Sequence, residues 1–118
     1  MDVSFEQICG LVEAELVRDD VPDQRARLTP FLVTPTRLQL SWQYGDGETF
    51  EAWLVGRSTS GVTGLVYCTE GVGSADYPWG AVLLESGDMG MDSGWHAGLA
   101  HAAICDRLIT PPPGYVVP

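Results

Sequence analysis

The residues of this chain whose types and spacing could do chemistry include its carboxylates, its two histidines and its three cysteines. Asp88 and Asp92 fall at positions one and five of an EF-hand-like run, Asp88-Met89-Gly90-Met91-Asp92. A calcium loop also needs a ligand at its third position and a bidentate glutamate at its twelfth. Gly90 and Leu99 stand there instead, so the template fails. His101 and Cys105 are one helical turn apart, but zinc wants four ligands with closely spaced pairs, and Cys9 and Cys68 lie in distant segments. Cys68 could act as a nucleophile with His96 or His101 as its base. Its apolar surroundings read instead as those of a buried, inert thiol. Gly71-Val72-Gly73 lacks the third glycine of a dinucleotide loop, and the chain has no lysine for a Walker loop. Gly56-Arg57-Ser58-Thr59-Ser60 lacks the closing glycine of a nucleophile elbow. Glu70, Asp76, Glu85, Asp88 and Asp92 flank one short apolar run. Two such carboxylates do acid–base work when their pKa values are driven apart, whereas solvated loop acids are far commoner. No catalytic residue, metal or cofactor is expected.

The charge balance is more informative. Sixteen acidic residues face six basic ones, all arginine, for a formal charge of −10. A nucleic acid or an anionic membrane is a poor partner for such a surface, because binding there needs cations that displace counterions. A cationic protein would be steered in, and solubility alone also accounts for a negative charge. Tyr77 and Trp79 beside Asp76, and Trp95 near Asp92, form an aromatic–acidic set suited to a partner's arginines or lysines. Trp79 and Trp95 could equally plug the end of a core. Three widely spaced cysteines do not make a secreted disulfide framework. No signal segment is expected at the start, where Asp2 and Glu6 stand, and no apolar run nears the roughly 20 residues that span a bilayer. The expected location is the cytoplasm.

The elements that must position these residues read as α+β. Ser4 and Gln7 form a capping box, with Val3 and Ile8 placed as a hydrophobic staple. Phe5, Ile8, Cys9, Val12 and Leu16 share one helical face, and Glu6, Glu13, Glu15 and Arg18 take the remainder. The prolines at 22, 30 and 35 mark a connector, in which 31–33 could form a short edge strand. Arg37–Tyr44 alternates apolar and polar residues as a half-buried strand does. A Gly45-Asp46-Gly47 turn leads to a central strand, Thr49–Arg57, with Phe50, Ala52 and Leu54 on one face and Trp53 and Val55 on the other. Val62–Thr69 reads as a third strand and Ala81–Glu85 as a fourth. A second helix is expected from about Asp92 or Ser93, its cap, to about Leu108. The proline-rich tail, 110–118, should be extended. The expectation is therefore a single domain, 1–118: an antiparallel meander of about four strands with an N-terminal and a C-terminal helix packed on it.

Tyr67-Cys68-Thr69-Glu70-Gly71, Tyr77-Pro78-Trp79-Gly80 and Gly90-Met91-Asp92-Ser93-Gly94-Trp95 give residues 37–108 a likeness. In style, size and acidity that stretch resembles the small acidic immunity proteins of bacterial polymorphic or contact-delivered toxin systems. The resemblance implies a protein-binding module that occludes a cationic toxin or effector domain. No catalytic motif defines such proteins, and no individual functional residue carries over from them. On the aromatic–acidic set itself, the partner-binding candidates are Asp76, Tyr77, Trp79, Glu85, Asp88, Asp92 and Trp95. Two other classes remain open: a small-molecule binder or enzyme using the acidic loops 70–80 and 85–95, and a structural or adaptor subunit, including a homodimer paired through an edge strand.

Overall fold

In a computed structural model, the described residues are 3–42, 49–69, 76–85, 88–89, 95–105, 107–111 and 113–114. Helix α1 spans Phe5–Leu16 and opens on the expected box: Ser4 Oγ accepts from the Gln7 N–H, and Gln7 Oε1 accepts from the Ser4 N–H. Its apolar face buries Ile8 and Leu16, but Phe5 stays about half exposed, at 48%. Glu15, expected among the solvent-facing residues, is 7% exposed.

The proline-marked connector is more structured than its composition suggests. It holds a short helix α2, Gln24–Leu28, and a 3₁₀ turn, Thr29–Phe31. Of the fragment expected at 31–33, Phe31 closes the 3₁₀ turn, while Leu32 and Val33 join the next segment in one strand, β1, Leu32–Trp42. Pro35 fits because the pairing shifts register between Leu32 and Thr36, the kind of irregularity at which a ladder tolerates proline.

The remaining strands are β2 (Thr49–Arg57), β3 (Thr63–Tyr67), β4 (Trp79–Leu83), β5 (Asp88–Met89) and β6 (Trp95–His96), and helix α3 is Leu99–Cys105. The order across the sheet is β5-β1-β2-β3-β4-β6. Strands β1 to β4 form the expected antiparallel meander, with the two helices of the chain ends on one side. Two outer strands were not foreseen: β5 runs parallel to β1, and β6 runs antiparallel to β4. Among the described residues no helix is long and apolar enough to cross a membrane. The turn expected at 45–47, the loop at 70–75 and most of the tail lie outside the described residues.

The pleat sorts the side chains into two cores. Trp53, Val55, Leu65, Trp79 and Ala81 point toward the helices and pack with Ile8, Leu16, Leu28, Leu99 and Ile104. Leu40, Ala52, Leu54, Val66, Cys68 and Val82 point the other way, and Leu84 and Trp95 join them. Leu40 and Val66 are fully buried although the helices lie on the opposite side.

Geometry accounts for that burial. Leu83 pairs with Thr63 at one end of the sheet, and Ser41 pairs with both Thr49 and Asp88 at the other. On a flat sheet, four strand spacings and about eight residues of rise would separate Leu83 from Asp88 by about 33 Å. The five peptide steps from Leu83 to Asp88 reach at most about 18 Å. The sheet therefore coils strongly, and the second core occupies its concave side.

Candidate functional site

The segment from Asp76 to Trp95 is placed by β4. Asp76 and Tyr77 precede the strand, and both are exposed, Tyr77 by 56%. The backbone turns inward at Pro78, whose carbonyl accepts from the Cys68 N–H. Trp79 then enters the helix-side core. It is 3% exposed and meets the Tyr67 ring edge-on, with centroids 4.9 Å apart. Trp79 is thus a core residue, which removes it from the partner-binding set. Glu85, also exposed, follows β4 at the opposite end of the strand from Asp76.

Asp88 pairs through its backbone with Ser41, at the end of the sheet where Asp76 and Tyr77 also lie. Asp92 lies outside the described residues. Trp95 was expected on the first turn of a helix. It belongs instead to β6, opposite Gly80, and α3 starts only at Leu99. The indole lies directly on Gly80, where a Cβ would sit 2.8 Å from the Trp95 ring. Glycine is required there for close approach, as it is at Gly64, where Leu84 and Leu54 would crowd a Cβ. The Trp95 Nε1 is buried and has no hydrogen-bond partner among the described residues. The seven candidates are therefore not one patch. Asp76, Tyr77 and the Asp88 backbone share an end of the sheet, Glu85 is at the other, and Trp79 and Trp95 pack on opposite faces.

Cys68 is fully buried, and its Sγ donates to the Glu51 carbonyl at 3.5 Å. Ser58 Oγ accepts from the Thr63 N–H and shares a 3.2 Å hydrogen bond with Ser60 Oγ, so it organises a turn. His101 is half-buried and Cys105 exposed, one turn further along α3. Among the described residues no group of three potential ligands could hold a metal ion. Burial raises the Tyr67 phenol above its ordinary pKa, and the charge of a Cys68 thiolate adds to the rise.

The polar cluster that sequence reasoning missed centres on Glu15. Its Oε1 accepts from the Leu99 N–H at 2.7 Å, tying α1 to the first turn of α3. Arg18 donates to Glu15 Oε2 and to Asp20 Oδ1, both at 3.3 Å. Its Nε is also 2.9 Å from Asp20 Oδ2, which closes an ion pair. Burial opposes the Arg18 charge, but Glu15 and Asp20 more than offset it, and the net pKa is raised. Gln24 completes the knot, donating to the Glu15 carbonyl and accepting from the Asp20 and Val21 N–H groups. These bonds satisfy backbone groups at the end of α1 and the start of α3, so the cluster builds the fold. An open cleft of about 720 Å³ lies beside it, lined by Val17, Arg18, Asp19, Asp23 and Arg25 among others. Its charges are balanced and its walls are shallow. Nothing in the sequence singles out Glu15, because a glutamate in a helix is ordinarily a surface residue.

No protein-family model, no curated protein and no solved structure matches the chain.

Proposed function

We propose that this protein is a protein-binding module that occludes a cationic partner, in the manner of an immunity protein acting on a toxin or effector encoded beside it. The observation that carries this reading is the segregation of charge. From residue 58 to residue 106 the sequence has no lysine or arginine, yet it contains Glu70, Asp76, Glu85, Asp88, Asp92 and Asp106. Meanwhile Arg18, Arg25 and Arg37 are paired with Glu15, Asp20, Glu13 and Glu51 of the chain's other half. Among the described residues, none of these ion pairs involves an acid of the 58–106 stretch.

On this reading the contact surface is a small one. It centres on Asp76 and Tyr77, with the aromatic ring as anchor and the carboxylate pairing a partner's arginine or lysine. Glu85 lies too far along β4 to share that contact. The reading places the protein and its partner in the cytoplasm.

Isothermal titration calorimetry against the product of the adjacent gene is the direct test. Asp76→Arg should weaken binding at least tenfold, about 1.4 kcal/mol. Glu85→Arg should change it far less, and raised salt should slow association. Absence of binding to any neighbour-encoded protein, together with no protection of cells, would sink the reading.

A further inference from the structure

Among the described residues, Arg57 and Arg107 are exposed and have no carboxylate partner. Both lie beside the 58–61 turn. Arg57 ends β2 and leans along Gly61, where a Cβ would be 3.9 Å from Arg57 Cδ. Arg107 follows α3 and lines a cavity of about 330 Å³ together with Phe31, Ser58, Thr59, Ser60 and Leu108.

The backbone at Arg107 adds a second observation. Its φ is 62°, in the left-handed region. Its N–H bonds the Ile104 carbonyl and the Leu108 N–H bonds the Ala103 carbonyl, the paired bonds of a Schellman end. Glycine is the usual residue at that position and carries no Cβ cost there. An arginine held in that conformation beside a cavity points to a use for its side chain.

The hydroxyls supply the rest of the donor set. Ser58 Oγ and Ser60 Oγ share one hydrogen bond, which consumes one of their two protons. Each oxygen also accepts from a backbone N–H, that of Thr63 for Ser58 and that of Val62 for Ser60. The remaining hydroxyl proton of the pair is free to be donated outward, as is that of exposed Thr59. A guanidinium and two or more hydroxyls around one space suit a tetrahedral oxyanion, which offers several acceptor oxygens at once. The volume exceeds what a bare phosphate needs, and half-buried Phe31 and Leu108 give it apolar walls.

We propose that this cavity is a binding site for a small phosphate monoester, with Arg107 and the hydroxyls of the 58–60 turn holding the phosphate, Phe31 and Leu108 contacting the body that carries it, and Arg57 adding charge from beside the turn. This site is independent of the partner surface around Asp76, at the other end of the sheet. Glu85 follows Leu84, whose N–H bonds the Val62 carbonyl beside the turn, so its carboxylate opposes the anion.

The test is an NMR titration of the full chain with phenyl phosphate and, separately, inorganic phosphate. Saturable amide shifts should be confined to the 58–62 and 107–109 segments, with phenyl phosphate binding the more tightly. Arg107→Gly relieves the backbone and removes the charge, so it should fold at least as stably while weakening binding tenfold or more. Arg107→Lys should recover part of the loss, Arg57→Ala should cost about threefold, and Glu85→Gln should tighten binding. No saturable shift with either compound, or an Arg107→Gly protein that binds as the wild type does, overturns the proposal. Equal affinity for the two compounds removes the role given to Phe31 and Leu108.

Discussion

On the face carrying Trp53, Leu65 and Trp79, three helices lay down an apolar cover, and Glu15 fastens α1 to α3 across it. On the face carrying Leu40, Ala52 and Val66, the described cover is Leu84 and Trp95, set on the chain that leaves β4 and returns to it. Both faces bury residues completely, Leu65 on one and Leu40 on the other. The helix side achieves this by bulk. The concave side achieves it by curvature and by two glycines that let side chains approach the sheet backbone. A small domain can thus hide a second core without spending a second helical layer, provided that its sheet coils.

Truncation tests the comparison most strongly. Leu65→Ala and Leu40→Ala should each cost about 2–5 kcal/mol, the range for fully buried leucines, measured by urea denaturation. A Leu40→Ala cost below about 1 kcal/mol would mean that the concave core is not closed in solution. Next in size is Glu15→Ala, which leaves the Leu99 N–H without its carboxylate acceptor and should cost about 2 kcal/mol. Glu15→Gln retains an acceptor oxygen and should cost less, and equal losses would show that α3 does not depend on that bond.

Gly80→Ala puts a methyl against the Trp95 indole and should cost about 1–3 kcal/mol through overpacking. The matching change on the helix side, Ala81→Gly, creates no clash, and the two together measure how tightly Trp95 is seated. The smallest effect is a pH dependence. Tyr67 has a raised pKa in the folded protein. Its contribution is fully present below the unfolded tyrosine pKa of about 10 and is lost as pH rises through the higher folded value. Melting temperatures above about pH 10 should therefore fall less steeply in Tyr67→Phe than in the wild type.

Several features were readable because they are local. The Ser4–Gln7 box needs only residues three apart, and the alternation in β2 already assigns Trp53 and Leu54 to opposite faces. The meander follows from short turns between alternating segments. Other features were unreadable for equally physical reasons. Residues 95 and 96 looked like the first turn of a helix, but β4 offered their backbone a ladder, which local propensity cannot anticipate. β5 is two residues long and pairs with a strand far back in the chain. At the candidate site, exposure at Asp76, Tyr77 and Glu85 matched their polar or loop character, but Trp79 looked like an anchor and is core. Tryptophan serves both roles, and only its packing partner distinguishes them.

By itself, then, the sequence determined the first helix, the four strands of the meander, the acidic surplus and the absence of arginine and lysine across the β3–α3 half, since these depend on composition and short-range periodicity. Only the tertiary structure decided which acids share an end of the sheet, that Glu15 is an internal brace, and that Arg107 meets the 58–60 turn across about 330 Å³ of open space. Those juxtapositions join residues far apart in the chain, and they arise from how strongly the sheet coils and where the helices close on it.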